Sequence, residues 1–435
     1  MHAPAPSTGR APASSRREGW LDALRGIAAL AVVFDHLSQV TLRSTRPAVY
    51  GWIEPGRYGV FLFFLISGYI IPASLEHKGS VRMFWVRRVF RLFPMYLVTI
   101  GLVVLLSAVG QESLRGAESD PVNSVLAQLL MMSDALAGPN LPNVVWSLTY
   151  EMTFYLLVTF LFVTGVHRHS GWFAAGFGVC AVALGGVLPR LYLSGHVTGP
   201  AVVSAVAGLL LVGGVLGAVF LRGPARVAFA ALAAAVALTL TGVNSHPAGP
   251  GPGSTPFPYT FEIPAILALM FTGTVLYRAV QGQYTWLRAA LAAGCALGLC
   301  AAAVLLHIRT HGMGLGTTWY LERRWLIGFG AAFGTFMAGL ALRHRRMPAA
   351  LTWLGLISYS VYLLHPMFRD VLYNELFAGH LKGGHWVYPS YPVWLQSLIG
   401  LLTVAALIAA ASVTYLLVER PAQHLARRCG PRRPG

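Results

Sequence analysis

The chain predicts an all-α fold, a polytopic transmembrane helix bundle, on three observations. Hydrophobic residues fill 56% of the 435 positions and charged residues only 11%, and the mean hydropathy is +0.61. Apolar runs long enough to cross a bilayer, roughly 20 residues at ~1.5 Å each, recur almost end to end. Stretches such as AVVSAVAGLLLVGGVLGAVFL are apolar on every helix face, unlike the alternating segments of a closed β-barrel. Twelve spans are expected, at about 22–41, 58–76, 84–109, 144–166, 171–192, 201–221, 226–243, 262–280, 286–307, 321–342, 351–372 and 393–418.

Residues 1–18 are rich in Pro, Ala, Ser and Arg and are expected to form a disordered basic arm. The first apolar segment is longer than a signal-peptide core and lacks a small-residue cleavage site after it, so it stays as a helix. Within it Arg25 and His36 stand eleven residues apart, which returns them to nearly one face, displaced by about 16 Å along the axis. An ionisable group inside a bilayer costs roughly 2.5 kcal/mol or more, so such groups face a bundle interior, a partner or a substrate path. Asp35 adjoins His36 but points about 100° away, so it is not expected to orient the imidazole.

The second span holds Ser67 in FLFFLISGYII. Nothing in the sequence places a base beside this serine, so a small-residue helix contact is expected there rather than a covalent intermediate. The third span opens on VRMFWVRRVFRLFPMY, where Arg88 and Arg91 share a face at i and i+3 with Arg87 beside them. Forked, permanently charged guanidinium groups suit phosphate oxygens. Anchoring to anionic lipid headgroups is the plainer role, but with Arg25 at the same depth the cluster resembles a site for a phosphorylated cofactor.

The fourth span opens on NVVWSLTYEMTFYLL, in which Trp146 fits an interfacial aromatic belt and Glu151 does not. Residues 171–307 are rich in Ala and Leu and carry no motif, while ISYSVYLLHP brings His365. Counting inward from the span boundaries puts His36, Glu151 and His365 all about 10 Å below the outer surface. Three ionisable groups at one depth form a candidate site. Residues 422–435 make a basic tail.

The formal charge of +17 comes from arginines that punctuate the apolar runs and form no continuous stripe, so the expected partner is the lipid bilayer and no nucleic acid. With twelve spans, the arm, alternate connections and the tail all carry arginine, which makes that side cytoplasmic and places both termini there. Arg43, Arg46, Arg57 and Arg309 are exceptions. Cys180, Cys295, Cys300 and Cys429 lack metal-like or redox-like spacing, so neither a disulfide nor a metal is expected.

LDALRGIAALAVVFDH, FLFFLISGYII, RRVFRLFPMY, NVVWSLTYEMTFYLL, ISYSVYLLHP and the terminal VERP together resemble, in order, the signature segments of the acyltransferase 3 family of membrane acyltransferases. The resemblance runs from residue 21 to residue 421 and implies one transmembrane domain over 19–421. It also implies an integral membrane O-acyltransferase of the plasma (cell inner) membrane, moving an acyl group, acetyl by expectation, from cytoplasmic acyl-CoA to a hydroxyl of a sugar or glycosylated small-molecule acceptor. Acetyl-CoA is then a co-substrate. Arg25 and His36 match the family's essential first-helix Arg and His, and Arg88 and Arg91 its RxxR pair, associated with the coenzyme A phosphates. Glu151 matches the Glu of WSLxxE, Ser67 and Gly68 the SG pair, and His365 the His after SYxxYLxH. About ten helices are usual for the family, so twelve implies appended spans or over-splitting of the middle.

The chemistry of the residues agrees with that resemblance. A hydroxyl attacking a thioester must lose its proton as the bond forms, and His is the usual base near neutral pH. His36 is expected in that role, Glu151 in orienting the imidazole or holding the acceptor, and Arg25 in steadying the donor's charged portion. The rival expectation is a transporter or flippase that uses the intramembrane His, Glu and Arg as a path; no internal repeat supports it.

Overall fold

The computed structural model describes residues 18–42, 45–114, 116–188, 199–244, 260–310, 315–382, 385–387, 389 and 391–429. The expected disordered arm at 1–17, Arg43, most of the Pro- and Gly-rich connection (245–259) and the end of the basic tail (430–435) lie outside these.

In chain order the helices are α1 (Gly19–Thr41), α2 (Arg46–Tyr50), α3 (Pro55–Lys78), α4 (Val81–Ala108), α5 (Pro121–Leu129), α6 (Trp146–Val163) and α7 (Ser170–Leu184). Then come α8 (Pro200–Phe220), α9 (Gly223–Asn244), α10 (Glu262–Val280), α11 (Trp286–Thr310), α12 (Leu315–Ala341), α13 (Ala349–Leu356), α14 (Ser358–Leu372), α15 (Val393–Thr414) and α16 (Arg420–Arg428). Among the described residues ten helices are long and apolar enough to cross a membrane, and the chain is a multi-pass membrane protein. Two of the twelve expected spans take another form. The α7 helix has only 15 residues, yet it runs beside α10 from Ser170, bonded to Arg278, to Gly185, bonded to Thr260, and the expected 351–372 span is broken at Ile357 into α13 and α14.

Beside the break α13 packs closely on α1. A Cβ on Gly355 would lie 1.8 Å from the Asp22 carbonyl oxygen, so only glycine lets α13 seat against α1 at this depth. One turn on, Ser358 Oγ donates to the Gly355 carbonyl at 2.9 Å, which satisfies an acceptor at the break. Among the described residues the only strands form a short antiparallel hairpin, β1 (His380–Lys382) with β2 (His385–Val387).

The motif-free middle supplies the most buried span. In α10, 89% of the membrane-crossing window is buried, against 33% for α8, α9 and α11. It reaches that position through a glycine crossing with α3: a Cβ on Gly68 would lie 1.8 Å from Met270 O, and one on Gly273 2.2 Å from Leu65 O. Thr274 Oγ1 then donates across the seam to Gly68 O at 2.8 Å.

Ion pairs fix α10 at both ends. At one end Glu262 accepts from Arg57 at 3.1 Å, and Glu54 accepts from Arg57 at 3.2 Å and Arg324 at 3.1 Å. At the other end Arg278, fully buried, bonds Glu76 at 2.6 Å, Ser170 Oγ at 2.7 Å and the His167 carbonyl at 2.6 Å. Buried charges persist only when paired and hydrogen-bonded in this way. Two of the exceptional arginines also hold carboxylates: Arg57 answers Glu54 and Glu262, and the exposed Arg309 bonds the buried Glu322 at 2.7 Å.

Candidate active site

The residues singled out in the sequence fall into two groups, an imidazole pair and a cavity, joined through one tyrosine. His36 projects from α1 and His365 from α14, with His36 Nδ1 2.7 Å from His365 Nε2 and the rings stacked at 4.8 Å between centroids. His365 is fully buried, and its Nδ1 lies 3.3 Å from the Val361 carbonyl one turn back. That carbonyl can only accept, so the network assigns the proton of neutral His365 to Nδ1 and leaves Nε2 as an acceptor. His36 must then donate through Nδ1, which leaves the lone pair on His36 Nε2 free. An imidazole held in that tautomer is arranged to accept a proton.

Asp35 lies nearer this pair than the helical wheel suggests. Its Oδ2 is 3.9 Å from His36 Nε2, beyond hydrogen-bond range. Its other oxygen accepts from the hydroxyl of Tyr50 on α2. Its carboxylate therefore contributes field rather than orientation, and the orienting partner of His36 is His365. Glu151, expected to orient the imidazole or hold the acceptor, lines the cavity described next.

The cavity, about 80 Å³ in volume, lies between α1, α3, α4, α6 and α14. Arg25, Ser67, Arg91 and Glu151 line it, with Ser147, Tyr359 and Tyr362. Arg25 has Asp22 3.8 Å away and feels the charges of Arg91, Glu151 and Arg88. Glu151 accepts a hydrogen bond from Tyr155 one turn along α6. The Tyr362 hydroxyl is 2.8 Å from both Ser147 Oγ and the Val144 carbonyl, and its ring stands 5.8 Å from that of His365. Tyr362 is thus the wall between the cavity and the imidazoles.

The expected common depth of His36, Glu151 and His365 does not hold for Glu151, which groups with the arginines. The count from the span boundary fails because the chain enters α6 from inside the bundle. Leu141, Val144 and Val145 ahead of it are all buried. Trp146 accordingly packs its ring edge-on to Tyr150 at 6.0 Å within the protein. In the SG pair the helix contact belongs to Gly68, while Ser67 faces the cavity.

The basic cluster divides as well. Arg91 lines the cavity. Arg88 is buried, donates to Ser74 Oγ at 2.7 Å and lies 5.2 Å over the Tyr155 ring. Arg87 reaches neither. A shared face at i and i+3 placed Arg88 and Arg91 together, but it could not say that α3 and α6 close over the first and leave the second facing open space.

Sequence reasoning missed several polar side chains. Tyr155 stands four residues after Glu151, and Tyr359 and Tyr362 lie inside SYSVYLLH, so their spacing from named residues was the available signal. Glu419 of VERP had none. Pro421 lacks an N–H and its ring crowds the carbonyl four residues back, and the helix widens into a π turn over Tyr415–Glu419. That turn carries Glu419 inside, where it accepts from Ser360 Oγ.

A family profile described as an acyltransferase domain matches residues 18–413. Among relatives, YrhL of Bacillus subtilis (strain 168), provisionally named a peptidoglycan O-acetyltransferase, is 30% identical over 162 residues, 34% of this chain and 24% of its own length. The acyltransferase MdmB of Streptomyces mycarofaciens is 30% identical over 177 residues, 38% of this chain and 45% of its own. The peptidoglycan O-acetyltransferase OatA of Listeria monocytogenes is 30% identical over 152 residues, 32% of this chain and 23% of its own. The chain therefore matches less than half the length of each of these relatives. No solved structure matches. With its profile covering nearly the whole chain, this protein belongs to the acyltransferase 3 family.

Proposed function

We propose that the protein transfers an acetyl group from acyl-coenzyme A, taken up at its basic face, to a hydroxyl of a sugar or glycosylated acceptor. The observation that carries this reading is the Arg25–Arg91–Glu151 cavity, which ends at Tyr362 against an imidazole pair whose tautomer leaves His36 Nε2 open. Arg25 and Arg91 hold the donor's phosphates through charge-assisted hydrogen bonds. The pantetheine arm then runs toward the histidines, about 16 Å further along α1, with Glu151 accepting from its amide N–H groups.

At the far end the acceptor oxygen attacks the thioester carbonyl carbon while His36 Nε2 takes its proton. His365 stabilises the resulting imidazolium through the Nδ1–H bond. The C–S bond breaks, the imidazolium returns the proton to the departing thiolate, and coenzyme A leaves with its thiol restored. Ser67 faces the arm and forms no acyl intermediate, because no base adjoins it. Arg87, outside the cavity, anchors the helix end at the lipid headgroups.

In this reading the domain spans 19–421 in the plasma membrane, with the arm 1–18, the tail 422–435 and both termini in the cytoplasm. The arginine asymmetry of the connections supports this orientation. The sugar acceptor rests on the O-acetyltransferase relatives. The test is release of free thiol when the purified protein meets acetyl-coenzyme A and a panel of sugars and glycosides, expected only when a suitable acceptor is present. No thiol with any acceptor overturns the reading. Sidedness is checked by Lys78→Cys and Pro250→Cys in a background lacking Cys180, Cys295, Cys300 and Cys429. In intact cells an impermeant thiol reagent should label only the second, and labelling at 78 would invert the protein.

A further inference from the structure

A second cavity, of about 370 Å³, lies against the ends of α3, α6 and α10 where Arg278 pairs with Glu76. Its size is within the ~300–1,000 Å³ usual for small-molecule sites. Glu76, His77, Phe162, His167, Arg168 and Tyr277 line it.

Its place relative to the first cavity follows from the two helices they share. On α3, Ser67 lines the first and Glu76 the second, nine residues or about 13 Å further on. On α6, Glu151 lines the first and Phe162 the second, eleven residues or about 16 Å further on. Both steps run in the same chain direction, away from the imidazole pair. Arg88 sits between the two levels, bonded to Ser74 and lying over Tyr155.

The lining joins flat rings to positive charge. Phe162 and His167 lie 5.1 Å apart between ring centroids, with Tyr277 on the same wall. Burial lowers the His167 pKa, which keeps its ring neutral. Glu76 is neutralised by Arg278 at 2.6 Å, so the exposed Arg168 sets the sign of the field. Aromatic faces beside a guanidinium suit a planar base that carries phosphate groups.

We propose that this second cavity holds the phosphorylated nucleotide end of the acyl-coenzyme A donor, whose diphosphate extends toward Arg91 and Arg25. This rests on the donor reading above. It makes the donor an extended ligand lying along α3 and α6, from the basic face to the imidazoles.

The test compares acetyl-coenzyme A with S-acetylpantetheine, which carries the same thioester and arm without the nucleotide. Arg168→Ala and His77→Ala alter exposed side chains, so both should fold. Each should lower the ratio of kcat/KM for acetyl-coenzyme A to that for S-acetylpantetheine, by about tenfold for Arg168→Ala, the scale of one charge-assisted hydrogen bond. Adenosine 3′,5′-bisphosphate should compete with acetyl-coenzyme A in the wild type and compete less well in Arg168→Ala. A wild-type ratio in both variants overturns the subsite while leaving the donor reading standing. A wild-type protein that turns over neither donor overturns the donor reading and the subsite with it.

Discussion

The imidazole pair and the arginine cavity share two helices, α1 and α14, yet the imidazoles and the cavity's arginines are in opposite states. Along α1, Arg25 opens into the cavity and His36 into the pair; along α14, Tyr359 and Tyr362 face the cavity and His365 the pair. In the pair three of the four ring nitrogens already have partners within the fold. In the cavity Arg91 takes no hydrogen-bond partner among the described residues, and Arg25 is 3.8 Å from its nearest carboxylate. The contrast separates two tasks. A group that moves a proton needs its tautomer fixed before substrate arrives, whereas a group that binds an anion must keep its donors available.

That contrast can be broken from either side. Arg91→Ala should raise the KM for acetyl-coenzyme A about 10–100-fold, since a hydrogen bond to a charged group is worth ~1.5–3 kcal/mol, and should leave kcat much nearer wild type. An unchanged donor KM would return Arg91 to lipid anchoring. On the other side, His365→Leu should cut kcat about tenfold, the equivalent of one orienting hydrogen bond of ~1–1.5 kcal/mol. His365→Gln offers an amide oxygen that can accept from His36 Nδ1, so it should recover most of that loss. Equal damage from the two variants would mean that His365 acts by packing alone.

The smallest kinetic effect is expected at Arg88. Its guanidinium is already bonded to Ser74 and stacked on Tyr155, so Arg88→Ala should lower thermal stability by about 1–3 kcal/mol and raise the donor KM only a few-fold. A donor KM that rises as far as in Arg91→Ala would show that the two arginines act as one clamp, and the division between them would be lost.

Hydropathy made the bundle legible because a bilayer demands long apolar helices, and every expected span has a helix at its place. The sequence could not reveal how deep each helix begins. Counting from the span boundary misplaced the depth of Glu151 because α6 starts within the protein, and the deep burial of α10, a span expected at 262–280, stayed hidden because it comes from glycine crossings and terminal ion pairs. Gly68 and Gly273, or Arg57 and Glu262, are 205 positions apart in each pair, and no local pattern joins them. Residue type was enough to single out His36, Arg25 and Arg91 as candidates. It failed where a partner decides the role, as with Arg88 against Ser74 or Glu419 against Ser360.

The central claim is that His36 takes the acceptor's proton while the arginine cavity holds the donor, and one pair of measurements tests it most directly. In the thiol-release assay with saturating acetyl-coenzyme A and a competent acceptor, kcat and donor KM are measured for His36→Ala. The account predicts a kcat lower by about 10²–10⁴-fold, the usual contribution of a general base, with a donor KM close to that of the wild type. A His36→Ala protein that is folded, membrane-inserted and turns over at nearly the wild-type kcat would contradict it.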